Sequence, residues 1–331
     1  MWSTRFTKIA SVVTAATAVA VLAPAAVADA APDRHRTAKI VAAKNVALNR
    51  VDLTVDSPSM GRKMKVTVLT PGGDAPRPAL YMLDGADAGK DVSDWITKGG
   101  AQQYFAGRNV NVVLPAGGEA SFYTNWKYSD AKLGKPQWET FLTKELPPLI
   151  DSKFHGSGRN AVMGLSMGGQ SAFALAVRHP ELYRGVASLS GCPPVTGAAN
   201  EAYVRSTLAK SGVDAVKMWG KPGGDYWRAH DPSLRLDALR GKQVYISAGS
   251  GAIGPMDLTA TYDPSDGPKD AQMAAGSALE VGAYRCSLEF AAQMQSAGVA
   301  FTQGFRLIGT HSWNYWKQDL PNAWATLAPG L

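Results

Sequence analysis

The stretch Gly164-Leu165-Ser166-Met167-Gly168 sets a serine between two glycines, with the apolar run AVMGL ending before it and a helix-like stretch after it. In a G-x-S-x-G turn the small residues let the chain pass sharply from strand to helix and lift the serine hydroxyl above a sheet. In a chain with 34 glycines the same five residues also fit an ordinary Gly-rich loop. The context favours chemistry, because amide N–H groups and the positive end of a helix dipole beside Ser166 suit the anion formed in acyl transfer. A serine at its free pKa is inert, however, and needs a base within hydrogen-bond reach.

Five histidines are candidates. His35 precedes the first strand, and His155 stands at a helix end in FHGSG. His179 comes just before Pro180, where a helix stop accounts for it. His230, in RAHDP, belongs to a segment with the character of a cap. His311, in LIGTHSWNYW, follows the last apolar strand in a Gly-containing loop, the place that the serine-first chain order of α/β-hydrolases gives the base. A capping or core histidine would fit that loop too. The third member would be an acid, and Asp257, Asp263, Asp266, Asp270 and Glu280 all follow the strand QVYIS. Position alone favours an aspartate in the loop; the residues choose no further. Nothing in this constellation calls for a cofactor or a metal ion.

A sheet must hold these groups. RVDLTVD, KMKVTVLT, PALYMLDG, VNVVLP, NAVMGL, GVASLSG, QVYISAG and AFTQGFRLI read as strands. Helical patterns lie between several of them, over 92–105, 138–154, 167–178, 272–297 and 313–327. Strands spaced by helices predict an α/β fold, a mostly parallel central sheet with helices on both faces. The first two strands, joined by SPSMGR, are expected as an antiparallel hairpin at the sheet edge. Residues 193–239 carry helical patches at 198–210 and 213–219 and then KPGGDYW, which suggests a small helical cap rather than a separate domain. The segment 249–269 is loop-rich, as functional loops often are.

The chain has 331 residues and 45% hydrophobic content, enough for a full core and against disorder or a repeat array. Its first 30 residues have a basic start (Arg5, Lys8), the apolar run from Ile9 to Ala26 and the small-x-small pattern Ala28-Asp29-Ala30. That is the form of a secretory signal peptide, with a mature chain starting near Ala31; an uncleaved anchor is the other reading of so apolar a run. Residues 31–49 then form an N-terminal segment and 50–331 one catalytic domain. No later run is long and apolar enough to predict a stable membrane span. The net charge of +7 is scattered rather than gathered into a stripe with stacking aromatics, so nucleic acid is not the expected partner. The two cysteines, Cys192 and Cys286, suit one disulfide in an oxidising compartment or two buried thiols.

With these residues in view the chain resembles the mycolyltransferase family of the antigen 85 type over about residues 50–327. The resemblance rests on SPSMGRKMKV, ALYMLDG, VLPAGGEASFYTNW, WETFLTKELP, GLSMGG, MWGKPGGDYWRAHDP and GTHSWNYW. It implies a secreted α/β-hydrolase that moves a mycoloyl group from trehalose monomycolate through an acyl-serine to a sugar hydroxyl. Its partners would be trehalose mycolates and envelope glycolipid or glycan acceptors. It implies Glu280 as the acid, from the spacing to Arg285, and the amides of Met167 and Ala86 as the oxyanion hole. Asp84 becomes a contact to the acceptor sugar, and bridging of Cys192 to Cys286 gains support. Trp313, two residues from His311, is expected to line the site; Trp126, Trp219, Trp227 and Trp316 read as packing. The chain departs from the family at Asp87, where LDGADAG replaces an arginine of LDGLRA and reverses the charge beside the acceptor pocket. A secreted carboxylesterase using water, and a silent extracellular binding protein, are the rival readings.

Overall fold

The computed structural model describes residues 37–331; the expected signal peptide and His35 lie outside the described residues. Strands β1 (Lys39–Ala47), β2 (Arg50–Ser57), β3 (Arg62–Leu69), β4 (Arg77–Leu83) and β5 (Asn111–Pro115) are followed by β6 (Gly156–Leu165), β7 (Tyr183–Leu189), β8 (Gln243–Gly249) and β9 (Thr302–Arg306). They make one sheet in the order β1-β2-β3-β5-β4-β6-β7-β8-β9. Pairing is parallel from β5 through to β9 and antiparallel from β1 to β3 and between β3 and β5.

The central strands are buried on both faces, and their alternation assigns each residue to a side. In β4, Leu80 and Met82 join one apolar cluster while Tyr81 and Leu83 join the other. Helix Met167–Arg178 and the long helix Lys269–Ser296 cover the Tyr81 side, where Phe173 meets Phe290 edge-on at 5.0 Å. Helix Trp313–Leu327 covers the other side with Leu320, Ala323 and Leu327, beside Trp95 and Phe105.

Three expectations need correction. The β2–β3 pair is antiparallel but is not the edge, because β1 pairs outside β2. The sequence KIVAAKNVA hides this strand, since almost all its residues are exposed and no face alternates. The helix expected over 92–105 is two short pieces, Asp94–Thr97 and Ala101–Tyr104, separated where Gly100 adopts a left-handed φ of 70°. The helix expected over 138–154 is α-helical at Trp138–Thr140, π-helical over Phe141–Glu145 and α-helical again from Leu146. Pro147 and Pro148 lack the N–H donors that a continuous α ladder would use there.

Between β7 and β8 the chain forms the helices Ala198–Lys210, Ala215–Trp219 and Asp225–Ala229 and two 3-10 turns. Trp219 anchors this cap, edge-on to Trp227 at 5.2 Å and stacked on His230 at 4.8 Å. Among the described residues no helix is long and apolar enough to cross a membrane.

Candidate active site

The turn at Ser166 is built by close approach. A Cβ on Gly164 would lie 2.3 Å from the backbone of Gly168, and one on Gly168 would lie 2.4 Å from Asp84 O, so neither position admits a side chain. Ser166 itself sits at φ 52° and ψ −125°, a conformation costing a non-glycine residue about 1–3 kcal/mol. Its amide donates to Leu189 O at 2.8 Å, which ties the turn to β7. The hydroxyl thus stands at the end of β6, directly before the N-terminus of a twelve-residue helix.

His311 comes from the loop after β9, and its Nε2 lies 2.8 Å from Ser166 Oγ. Its Nδ1 lies 2.7 Å from Glu280 Oε2. With a carboxylate at Nδ1, that nitrogen carries the proton and Nε2 is free to accept one. Glu280 projects from the long helix and is 0% exposed. Its Oε1 accepts from Gly249 N at 2.6 Å and from Ser190 Oγ at 2.7 Å, so the buried charge is paired on both oxygens. The His311 amide donates to Gly276 O on the same helix, and its ring meets Trp316 edge-on at 5.0 Å.

The competing acids are elsewhere. Asp257 is buried, but it accepts from Gly254 N, Tyr315 Oη and Thr310 Oγ1, and so fastens the loop after β8 to the residue before His311. Asp263 caps the 3-10 turn Pro264–Asp266, whose residues include no buried one. Asp270 stands exposed in the first turn of the long helix. Of the other histidines, His155 is a left-handed C-cap. His179 and His230 both face Glu139, at 2.7 and 3.5 Å. Burial alone would raise the Glu139 carboxyl, but His179, His230 and Arg178 together hold it well below the usual carboxylate range.

Met167 opens the helix, where the first N–H groups have no intrahelical acceptor. The other expected donor, Ala86, follows Gly85, and a Cβ on Gly85 would be 3.5 Å from the Ser166 Cβ. Met167 directly follows the nucleophile, and the residue before Ala86 packs against it.

Asp84 and Trp313, both expected to contact substrate, are held by neighbouring protein groups. Asp84 is 0% exposed; its Oδ1 accepts from Ser93 Oγ at 2.9 Å and Trp95 N at 3.3 Å. Burial first, then the nearby Asp94 charge, lifts this carboxyl to about 7. Its Oδ2 is buried with no hydrogen-bond partner among the described residues. Trp313 is half-buried between Trp95 and Trp316, at 5.3 and 5.2 Å; Trp316 is the ring that meets His311. Asp87 pairs with Lys210 of the cap at 2.9 Å, both side chains well exposed. Cys192 and Cys286 form a disulfide. Ser190 and the Gly249 amide had no signal in the sequence, since the group they hold is 90 and 31 residues away in the chain.

Sheet order, strained serine turn and loop-borne histidine define an α/β-hydrolase fold with a Ser-His-Glu hydrogen-bonded array. A family model described as a putative esterase matches residues 57–327. The diacylglycerol acyltransferase/mycolyltransferase Ag85A of Mycobacterium leprae is 34% identical over 280 residues, 81% of this chain and 79% of that protein. The chain belongs to this esterase family and, within it, to the antigen 85 group of mycolyltransferases. The MPT51/MPB51 antigen of Mycobacterium tuberculosis is 40% identical over 190 residues, 57% of this chain; the alignment spans 61% of that relative's length. The crystal structure of Mycobacterium tuberculosis MPT51 (FbpC1) superposes with a TM-score of 0.72 at 31% identity, covering 86% of this chain and 99% of that one. An S-formylglutathione hydrolase from Agrobacterium tumefaciens shares the fold at 17% identity, with a TM-score of 0.60 over 86% of this chain and 96% of the other.

Proposed function

We propose that the protein is a secreted serine acyltransferase that moves a mycoloyl group from trehalose monomycolate to a sugar hydroxyl. The observation that carries this reading is the unbroken hydrogen-bonded run from Glu280 through His311 to Ser166, set at a helix N-terminus. His311 Nε2 takes the Ser166 proton as Oγ attacks the ester carbonyl, and Glu280 holds the imidazole in the tautomer that can do so and favours its charged form. The amides of Met167 and Ala86 receive the oxyanion, each worth about 3 kcal/mol in such sites. The tetrahedral intermediate collapses, the sugar alkoxide leaves with the proton from His311, and an acyl-serine remains. A second sugar hydroxyl, deprotonated by His311, then attacks that ester and frees the serine, so ping-pong kinetics follow.

The choice of transfer over hydrolysis draws on the names of the relatives, whereas the esterase name of the family model favours water as acceptor. Incubation with trehalose monomycolate separates the two: dimycolate supports transfer, and free mycolic acid as the sole product supports a carboxylesterase. Absence of fluorophosphonate labelling of the wild-type protein would favour a silent binding protein. Export rests on the sequence of residues 1–30, and N-terminal sequencing of the mature protein, expected to begin near Ala31, tests it.

A further inference from the structure

We propose that Ser190 is a positioning residue for the triad acid, and that Ser190-Gly191-Cys192 is the clamp that fixes the long helix carrying Glu280. The proposal rests on the triad reading above. Three consecutive residues reach the same helix: Ser190 Oγ bonds Glu280 Oε1 at 2.7 Å, Gly191 O accepts from Ser287 Oγ at 2.8 Å, and Cys192 is disulfide-bonded to Cys286. Positions seven apart, such as Glu280 and Ser287, share a helix face, so the clamp grips the helix at two points about two turns apart on one face. A one-residue slip of the helix would swing Glu280 by about 100° away from His311.

The direction of the hydrogen bonds follows from donor chemistry. Trp316 Nε1 lies 2.9 Å from Ser190 Oγ, and an indole nitrogen can only donate. Ser190 Oγ therefore accepts from Trp316, and its single hydrogen is given to Glu280. The chain runs Trp316 to Ser190 to Glu280, and Glu280 in turn accepts from His311; such chains polarise one another in a low dielectric. Trp316 also packs its ring edge-on against His311, so one residue braces both the base and the support of the acid.

The backbone of Ser190 makes the case sharper. It is fully buried with φ 51°, the left-handed region in which glycine is the relaxed choice. A residue serving only to turn the chain there would gain from being glycine. Serine at that place carries strain that its hydroxyl explains.

The test compares Ser190→Gly, Ser190→Ala, Glu280→Gln and the double variant Ser190→Gly/Glu280→Gln, read by kcat and KM for p-nitrophenyl butyrate hydrolysis and by thermal melting. Loss of a hydrogen bond to a charged group predicts that kcat of Ser190→Gly and Ser190→Ala falls roughly ten- to a hundredfold. KM should stay within about twofold, because Ser190 is fully buried. In the Glu280→Gln background Ser190→Gly should cost less than about twofold, since Ser190 acts through Glu280. Unchanged kcat in Ser190→Gly, or the same fold loss in both backgrounds, overturns the proposal. Should Ser190→Ala melt early, Ser190→Gly, which relaxes the backbone, still decides. Fluorophosphonate labelling of the wild type is run alongside: failure there defeats the triad reading, whereas labelling with a fully active Ser190→Gly defeats only the clamp.

Discussion

Glu280→Gln is the change whose effect can be worked furthest from the geometry. Glutamine keeps the shape of the side chain and can still accept from Gly249 N and Ser190 Oγ through its carbonyl, which takes the place of Oε1. The amide nitrogen then replaces Oε2, 2.7 Å from His311 Nδ1. Two donors cannot face each other, so His311 is driven to the tautomer with its proton on Nε2, pointing at Ser166 instead of accepting from it. The same inversion in a Ser-His-Asp enzyme costs about 10⁴ in kcat, near 5.5 kcal/mol of barrier. Asp257→Asn is the matched control, because Asp257 is equally buried yet fastens the loop instead of touching the histidine. Single-turnover acylation by an activated ester measures the chemical step directly. A loss of about 10⁴ in Glu280→Gln with a loss under about tenfold in Asp257→Asn supports the assignment. A loss under tenfold in Glu280→Gln refutes the argument, whatever the effect at Asp257.

Three further outcomes concern stability. The Glu139 carboxyl is held below its ordinary range in the folded state, so its contribution is present above the unfolded pKa of 4.5 and is lost as pH falls further. Glu139→Gln should therefore destabilise the protein by about 3 kcal/mol at neutral pH and flatten the acid limb of a denaturant midpoint against pH profile. Asp84 is shifted the other way, to about 7 from 3.8, so the folded state holds its proton and stability declines as pH rises through that window. Asp84→Asn should melt higher than the wild type at pH 8 while differing little at pH 4. Cys192 and Cys286 close a loop with a sequence separation of 94, and their reduction should lower the unfolding free energy by about 4–5 kcal/mol in the chain-entropy model, read by chemical denaturation with and without reductant.

Much of this was legible in the chain, and the reasons differ by residue. The central strands announced themselves because both faces are buried, leaving apolar runs such as ALYML and AVMGL bounded by turns. β1 did not, because an edge strand exposed along its length has no periodic face to read. Ser166 was legible because the close approach at Gly164 and Gly168 demands glycine at fixed spacing. Glu280 was not separable from four aspartates by position, since a long helix rather than a loop delivers it; only resemblance to a family picked it out. Ser190 was invisible because its partners, Glu280 and Trp316, are 90 and 126 residues away in the chain. The motif LDG marks Asp84 but not what holds it: its carboxyl accepts from Ser93 and Trp95, further along the chain.

The central claim is that acyl transfer passes through an ester on Ser166 Oγ. Incubating the protein with a slowly deacylating activated ester and locating the added mass by peptide mapping tests it directly. The account predicts one acyl group on the peptide containing Ser166, none in Ser166→Ala, and release of the label on adding a sugar acceptor. An acyl group on any other residue, or equal labelling of Ser166→Ala, would contradict it.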